Sequence, residues 1–460
     1  ALNGPGGPVQ LIPEGTSALT KRIVVGNDTL ALDQLDFDVQ PADGLRLAES
    51  DGPRTLRFTY DSPGTPLRVE IAYTFRADDY LVDVNTSVQG VDRPLLITGL
   101  GHGLAFAEAD SAQEASLMSW VGNHLNDGIR ATELRKVELP EIHNGPYLWA
   151  GVKSKYFVVA VLPGAASGEE GPYIGGVITV PGADEMRPQL AVAQSVGSGG
   201  TLDYRLYMGP QVYSRLQALG ADLEEVNPYG WKFLRPLIRP FVVVTLWVLN
   251  FLHDNLNVGY GWVLVIFGVL MRVALWPLNQ KAMRAQMRNM AVQPMIKEIQ
   301  TKYKDNPEKL QKEMMRMYKE YGFNPLGGCL PMLLPWPVLI ALFFVFQNTI
   351  ELRGVPFYWL PDLSAKDPFF ILPIVLAVSM FFLQFISFRS MPQASQNPQM
   401  KMMMYFMPPF FGFIFMNFPS GLNLYYATAN LATIPQQILI ARERRAASKA
   451  GPIRIDRDEK

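Results

Sequence analysis

Cysteine, histidine and nucleotide-binding patterns are all scarce in this chain. Its 460 residues hold one cysteine, Cys329, and four histidines. A single cysteine excludes an intrachain disulfide framework, which a chain of this size does not need. No Gly-x4-Gly-Lys-Ser/Thr run occurs, so a P-loop nucleotide motor is excluded. His102, His124 and His143, with Asp127 and Glu141 close by, are the acid–base candidates of the first half. No pair of them has a metal-ligand spacing such as His-x3-His. His102 lies in the turn-like Gly101-His-Gly103. The expectation is a binding or scaffolding module with no cofactor and no metal, and not an enzyme. The opening Ala1–Gly7 has neither a basic start nor an apolar core, so no signal peptide is read there. An exported first half would have had its targeting segment removed.

What is abundant is unevenly placed. Residues 1–230 carry 29 acidic and 16 basic side chains, and residues 231–460 carry 13 acidic and 25 basic. Seventeen of the 20 methionines fall between 271 and 416, and all the long apolar runs lie in the second half. The length alone predicts at least two domains. An acidic soluble part is thus joined to a basic, membrane-embedded part.

The first part, residues 1–220, reads as a β domain. Thr55–Tyr60, Leu67–Phe75, Tyr80–Asn85 and Tyr156–Leu162 alternate in period 2 and are rich in β-branched and aromatic residues. Many such segments, split by Gly, Pro, Asn and Asp, predict antiparallel strands in a large β-sandwich. Tyr213–Leu223 has helical spacing instead.

Residues 221–258 read as a linker and an interfacial amphipathic helix. The apolar core Phe241–Leu249 is shorter than about 30 Å of hydrocarbon requires, and basic and aromatic residues flank it. A tilted span is the competing reading. Five spans are then expected near 259–278, 330–348, 368–387, 403–418 and 422–440, in a membrane domain covering 259–445. Several are short and carry proline, which suits a bundle in a locally thin bilayer. A charged tail, 446–460, follows.

Loop charge gives a topology. Residues 279–325 hold ten Lys or Arg against five acids, residues 388–401 add Arg389 and Lys401, and the tail from Ala441 has seven basic residues against four acids. Five spans put these three segments on one side, which the positive-inside rule makes cytoplasmic. Residues 1–220 are then external. Residues 279–325 read as a cytoplasmic helical hairpin: Lys281–Lys304, with Pro294 as a possible bend, then Glu308–Tyr321 after Pro307 at a first helical position. Met283, Met287 and Met290 share a face with i, i+4, i+7 spacing beside Arg284 and Arg288. Flexible thioethers suit varied apolar partners, and they equally suit hairpin packing. A basic hairpin is either a solvated loop or a docking surface for a ribosome or nascent chain.

Arg272 is the most informative residue. It lies in the apolar run Gly261–Pro277, which contains no acid. An arginine at bilayer depth costs about 2.5–3.5 kcal/mol on insertion scales. Facing a wet cavity inside the bundle avoids that cost, and snorkelling to an interface is the alternative.

Three sets of residues carry a family resemblance. Asn324-Pro-Leu-Gly-Gly-Cys-Leu-Pro331, Phe418-Pro-Ser-Gly-Leu-Asn-Leu-Tyr-Tyr426, and Arg272 ahead of Trp276-Pro-Leu278 resemble the YidC membrane-protein insertase family. Asp362-Leu-Ser-Ala-Lys-Asp-Pro368 is similar to the Gram-negative members. The match covers about 228–445, with a weaker one over 1–220. It implies a periplasmic β-supersandwich, similar to sugar-mutarotase-like proteins, on an inner-membrane bundle. It also implies a positively charged hydrophilic groove, open to the cytoplasm and to lipid, with Arg272 receiving the polar part of a substrate. Tyr425 and Tyr426 match groove-lining aromatics. Gly268 stands where some relatives carry a hydroxyl residue. Gln347, Gln384, Asn423, Thr428, Asn430 and Gln436 are polar groups at the spans, suited either to a groove or to interhelical hydrogen bonds. The resemblance further implies nascent membrane proteins, the ribosome and the Sec translocon as partners, a monomer, and a first span missing from this chain. An anion or solute transporter using Arg272, and an exported glycan-modifying enzyme on a membrane anchor, are the competing functions. Transporters usually show repeated halves, and none is found.

Overall fold

A computed structural model describes residues 3–4, 7–108, 110–164, 173–182, 188–227, 230, 233–304, 306–320, 336–390 and 398–449. Side chains are not described at 3–4, 7, 278–279, 281–297, 318–320, 336, 398–400, 403 and 444–449. The chain divides into two compact units, Ala1–Pro228 and Tyr229–Lys460.

The first unit is a large antiparallel sheet. Its strands are β1 (Asn3–Gly4), β2 (Gly7–Pro8), β3 (Lys21–Val25), β4 (Asp28–Ala31), β5 (Asp38–Gln40), β6 (Arg54–Asp61), β7 (Arg68–Phe75) and β8 (Leu81–Gln89). They continue with β9 (Leu95–Gly101), β10 (Ser119–His124), β11 (Gly128–Glu133), β12 (Glu141–Lys153), β13 (Phe157–Pro163), β14 (Ile174–Val180), β15 (Gln189–Ser195) and β16 (Thr201–Pro210). β1 and β2 pair separately. The other fourteen run β4-β3-β9-β15-β14-β12-β13-β16-β8-β7-β6-β5, with the β10–β11 hairpin branching from β12. All four strands expected from alternation are present, as β6, β7, β8 and β13.

β12 holds this sheet together. Glu141–Tyr147 pairs with β14, the register shifts between Asn144 and Tyr147, and Ala150–Lys153 then pairs with both β10 and β13. A register shift lets one long strand pass from one set of neighbours to another. β13 is buried along its length, so both of its faces are covered. Trp149, Val158, Ala160, Leu162 and Tyr207 form the core with Leu216 of helix α2 (Tyr213–Leu219), and with Leu223 and Val226. Trp149 donates from Nε1 to the Ala221 carbonyl at 2.8 Å, and Asn123 donates to the same oxygen at 2.9 Å. An earlier short helix, α1 (Ser111–Leu117), is capped by Asp110, whose carboxylate accepts from the Gln113 amide.

The second unit is helical: α3 (Arg235–Leu256), α4 (Tyr260–Lys302), α5 (Pro307–Glu320), α6 (Trp336–Asn348), α7 (Ile371–Arg389), α8 (Pro398–Phe415) and α9 (Ser420–Lys449). Arg235–Leu256, Tyr260–Pro277 and Ile371–Arg389 are long and apolar enough to cross a membrane, whereas Pro337–Asn348 and Met404–Phe415 are shorter apolar helices. α9 packs against α4, α6 and α7, and α3 packs against α6 and α4.

Two expectations change here. The segment expected to be too short to span is a helix of 22 residues, so length does not prevent α3 from crossing. Ile238, Val242, Thr245, Leu246, Leu249 and Leu252 form its buried stripe, and the exposed Val243, Val244, Trp247 and Phe251 make its outer face apolar too. The expected span 259–278 and hairpin helix 281–304 are one continuous helix, α4, of 43 residues. Pro277 removes one backbone donor and crowds the carbonyl four residues before it, and the stretch beyond it is rich in Ala, Met, Lys, Arg and Gln, strong helix formers that carry the helix on. α5 begins as expected at Pro307, with the Asn306 side chain accepting from the Lys309 amide at 3.1 Å.

Lys153 gives a test of the β unit. Its ammonium is buried and donates to Asn227 Oδ1 at 2.7 Å, and burial pushes its pKa down to about 8. The unfolded lysine titrates near about 10.4. Between these values the unfolded chain holds a proton that the folded chain has released. Stability should therefore sit at its lower plateau below about pH 8 and rise with pH from there towards about 10.4. Urea unfolding of wild type and Lys153→Met, followed by the circular dichroism of the sheet, should show this rise in wild type and a flatter profile in the variant.

Candidate functional site

Arg272 lies on α4, twelve residues after the helix begins. Its Nε donates to the Ala429 carbonyl of α9 at 3.0 Å. That carbonyl also accepts the Thr433 hydroxyl at 2.6 Å. A carbonyl dipole cannot neutralise a full charge, and among the described residues no carboxylate pairs with this guanidinium. The cation therefore remains available to water or to an anionic group.

A cavity of about 100 Å³ adjoins it, lined by Met271, Arg272 and Leu275 of α4, Val338 and Leu339 of α6, and Tyr425, Tyr426 and Ala429 of α9. Tyr425 is wedged between Phe267 and Phe346, with ring centroids 5.6 and 5.3 Å away, and Tyr426 lies 5.1 Å from Tyr425. These rings form an aromatic cluster that holds Tyr425 and Tyr426 at the cavity. The two helices run parallel, since Gly268 meets Tyr425 and Thr428 while Arg272 meets Ala429. Their close approach depends on Gly268. A Cβ there would lie 3.3 Å from the Thr428 side chain and 3.3 Å from the Tyr425 carbonyl oxygen.

The expected groove residues thus divide. Arg272, Tyr425 and Tyr426 converge on one cavity. Gly268 and Thr428 form the packing contact one turn away. Asn430 donates to Ser379 Oγ of α7 at 3.2 Å, in a polar seam that also joins Ser387 to Gln437 at 3.3 Å. Asn423 is fully buried and donates to the Phe415 carbonyl at 3.0 Å, which closes the end of α8. Gln384 Oε1 and Gln436 Nε2 are buried without a hydrogen-bond partner among the described residues, and Gln347 is half-buried on α6. Met283, Met287, Met290, Arg284 and Arg288 fall within α4, and their side chains lie outside the described residues.

The two motifs that carried the resemblance have a structural task that spacing alone did not show. Asp367 accepts the amides of Phe369 at 3.0 Å and Leu372 at 2.7 Å, which caps the start of α7. Ser420 and Gly421 donate backbone bonds to Ala365 at 2.7 Å and Leu363 at 2.8 Å, and Ser420 Oγ donates to the Asp362 carbonyl at 3.0 Å. The α8–α9 turn is thereby fastened to the segment before α7. Asn324–Pro331 lies outside the described residues.

In the β unit each histidine has a local partner. His143 Nε2 lies 3.4 Å from Glu141, its ring is 4.4 Å from that of Trp120, and burial lowers its pKa. His124 Nδ1 is 3.0 Å from Asp127 Oδ2, and His102 lies 3.2 Å from Gln189. Among the described residues no group of three His, Cys, Asp or Glu could hold a metal.

A large β-sheet unit followed by a helical unit with three helices long and apolar enough to cross a membrane defines a multi-helix membrane protein. A family model described as "60Kd inner membrane protein" matches residues 251–448, and one described as "YidC periplasmic domain" matches 4–244. The chain is 33% identical over 464 residues to the protein named Membrane protein insertase YidC of Chlorobaculum tepidum, covering 95% of this chain and 76% of that one. It is 30% identical over 423 residues to the protein of the same name from Syntrophus aciditrophicus, covering 88% and 74%. A crystal structure titled as an active YidC insertase with its first transmembrane domain resolved aligns over 93% of this chain and 94% of that one, with TM-score 0.37 and 18% identity. The chain belongs to the YidC membrane protein insertase family.

Gly268 offers a test of the helix contact. Gly268→Leu should destabilise the helical unit by about 1–3 kcal/mol, the usual range for overpacking, with Gly268→Ala costing less. Thermal unfolding in detergent reads both.

Proposed function

We propose that this chain is a membrane-protein insertase and folding chaperone of the bacterial inner membrane. Newly made membrane proteins enter through the positively charged pocket at Arg272. The observation that carries this reading is a cation at the α4–α9 contact with only a carbonyl as its partner among the described residues. A polar or acidic segment of an incoming chain reaching Arg272 gains a counter-charge at bilayer depth, which lowers the cost of moving it through hydrocarbon. Its apolar segment then slides along α6 and α8, and hydrophobic burial drives completion. Tyr425 and Tyr426 present aromatic faces with polar tips to that path. No covalent step is involved, and no cofactor or metal is required.

The topology has five spans, with the basic 279–325 hairpin, the 388–401 loop and the C-terminal tail in the cytoplasm. The β unit is periplasmic, which the description of the matching family model supports. α4 starts on the same external side, so α3 lies along the outer interface with its apolar face toward lipid. Nascent membrane proteins and the lipid bilayer are the partners. The Sec translocon is a further partner, and the ribosome docks on the hairpin and tail through their charge and the Met283, Met287 and Met290 face.

Insertion of a small single-span protein into vesicles tests this. Arg272→Ala should abolish most insertion of a substrate with an acidic leading segment, and Arg272→Lys should retain it. Equal insertion by wild type and Arg272→Ala would remove Arg272 from the pathway.

A further inference from the structure

Exposed aromatic residues gather at one end of the helical unit, away from Arg272. Between α6 and α7 the chain makes a tight turn. Phe357 N–H donates to the Leu360 carbonyl at 2.8 Å, and Leu360 N–H returns a bond to Phe357 at 2.9 Å. Tyr358 and Trp359 occupy the tip, and Tyr358 is held at φ 52°, a conformation that L side chains rarely adopt. Leu360 and Leu363 point inward and are buried, whereas Tyr358 is 74% exposed and Trp359 39%. A strained backbone that holds large aromatic rings outward, with its aliphatic neighbours packed, calls for a partner on the outer side.

The turn is fastened to the first turn of α4. The Phe357 ring covers Gly261 so closely that a Cβ there would lie 2.1 Å from it. Trp262 meets Phe357 at 5.6 Å and Tyr358 at 6.1 Å between ring centroids. These residues border a recess of about 360 Å³ with Gly259 and Pro356. Two candidate spans begin at this end, Tyr260–Pro277 and Ile371–Arg389. Phe369 and Phe370, just ahead of the second, are exposed as well. The surface runs on from exposed apolar side chains of the spans, Val269 and Val273 on α4 and Ile374 and Val378 on α7. Charge is sparse: between 354 and 371 there are only Asp362, Lys366 and Asp367, and Asp367 is buried in its cap. Residues 354–371 therefore hold one basic side chain and no basic cluster.

We propose that the Phe357–Leu360 turn is a lipid anchor. Tyr358 and Trp359 seat in the glycerol–carbonyl layer of the bilayer, whatever the headgroup charge. Tyrosine and tryptophan favour that layer because their rings are apolar and their tips polar. Because the turn grips the start of α4, it sets the depth of Arg272, twelve residues or roughly 18 Å along the helix axis. This inference rests on the membrane placement of the helical unit and not on its insertase activity, so each can fail alone.

The full chain is placed in vesicles of zwitterionic phospholipid brominated either near the ester end or near the methyl end of the acyl chain. The Trp359 signal is the fluorescence difference between wild type and Trp359→Phe. Quenching should be stronger with ester-proximal bromine than with the deep label and weak with aqueous iodide, and adding anionic lipid should not change it. Strong iodide quenching with no effect of brominated lipid would place the turn in water or on another protein and overturn the anchor. A need for anionic lipid would overturn the charge-independent contact. The Trp276 signal, obtained by difference against Trp276→Phe, tests the depth setting. Its bromine profile should shift when Tyr358→Ser and Trp359→Ser are combined, and an unchanged profile would overturn that setting.

Discussion

One uncompensated charge organises the helical unit. Arg272 must be kept out of lipid, and no acid on its own run can neutralise it. The fold answers by bringing α9 alongside α4 so that the Ala429 carbonyl reaches the guanidinium. That approach needs the missing side chain at Gly268, and the rings of Phe267 and Phe346 pack against Tyr425. The polar feature thus sits inside an otherwise apolar wall. The α4–α9 contact, the cavity and the placement of two tyrosines meet at this one side chain.

The connections between helices are as specific as the helices. Asp362 to Asp367 and Ser420 to Gly421 are joined by backbone and side-chain hydrogen bonds, so the α8–α9 turn cannot move independently of the start of α7. Buried backbone donors and acceptors must be satisfied near a membrane, where little water is available. These short motifs act as hydrogen-bond sockets. Their residues are placed to hold the ends of α7, α8 and α9 in one arrangement.

Much of this was legible beforehand, for identifiable reasons. Period-2 alternation marked β7 and β8, where buried and more exposed positions alternate along the pleat, whereas β13, covered on both faces, was marked by its run of β-branched and aromatic residues. Arg272 stood out because a lone cation in an apolar run has few physical solutions. Tyr425 and Tyr426 meet it at the cavity. The uses of Asn423 and Asn430 were less legible, since a polar residue in a helix can turn towards a cavity or a neighbouring backbone. One points to the end of α8 and the other to Ser379. The unity of α4 was hidden by Pro277 and by the switch from apolar to basic composition, which reads as a boundary although the backbone crosses it. The length of α3 was hidden in the same way, by the Pro236 and Pro240 that its helix absorbs.

That unity has a mechanical consequence. A helix of 43 residues extends roughly 64 Å, about twice the thickness of the hydrocarbon layer. Arg272 sits within the apolar first part of this rod, Tyr260–Pro277, and the basic remainder continues the same helix past it. A stiff rod converts a sideways push at its free end into a tilt along its whole length. Whatever loads the basic remainder of α4 therefore acts on the α4–α9 contact as through a lever, with the gap between Gly268 and Thr428 as the point that must open or hold.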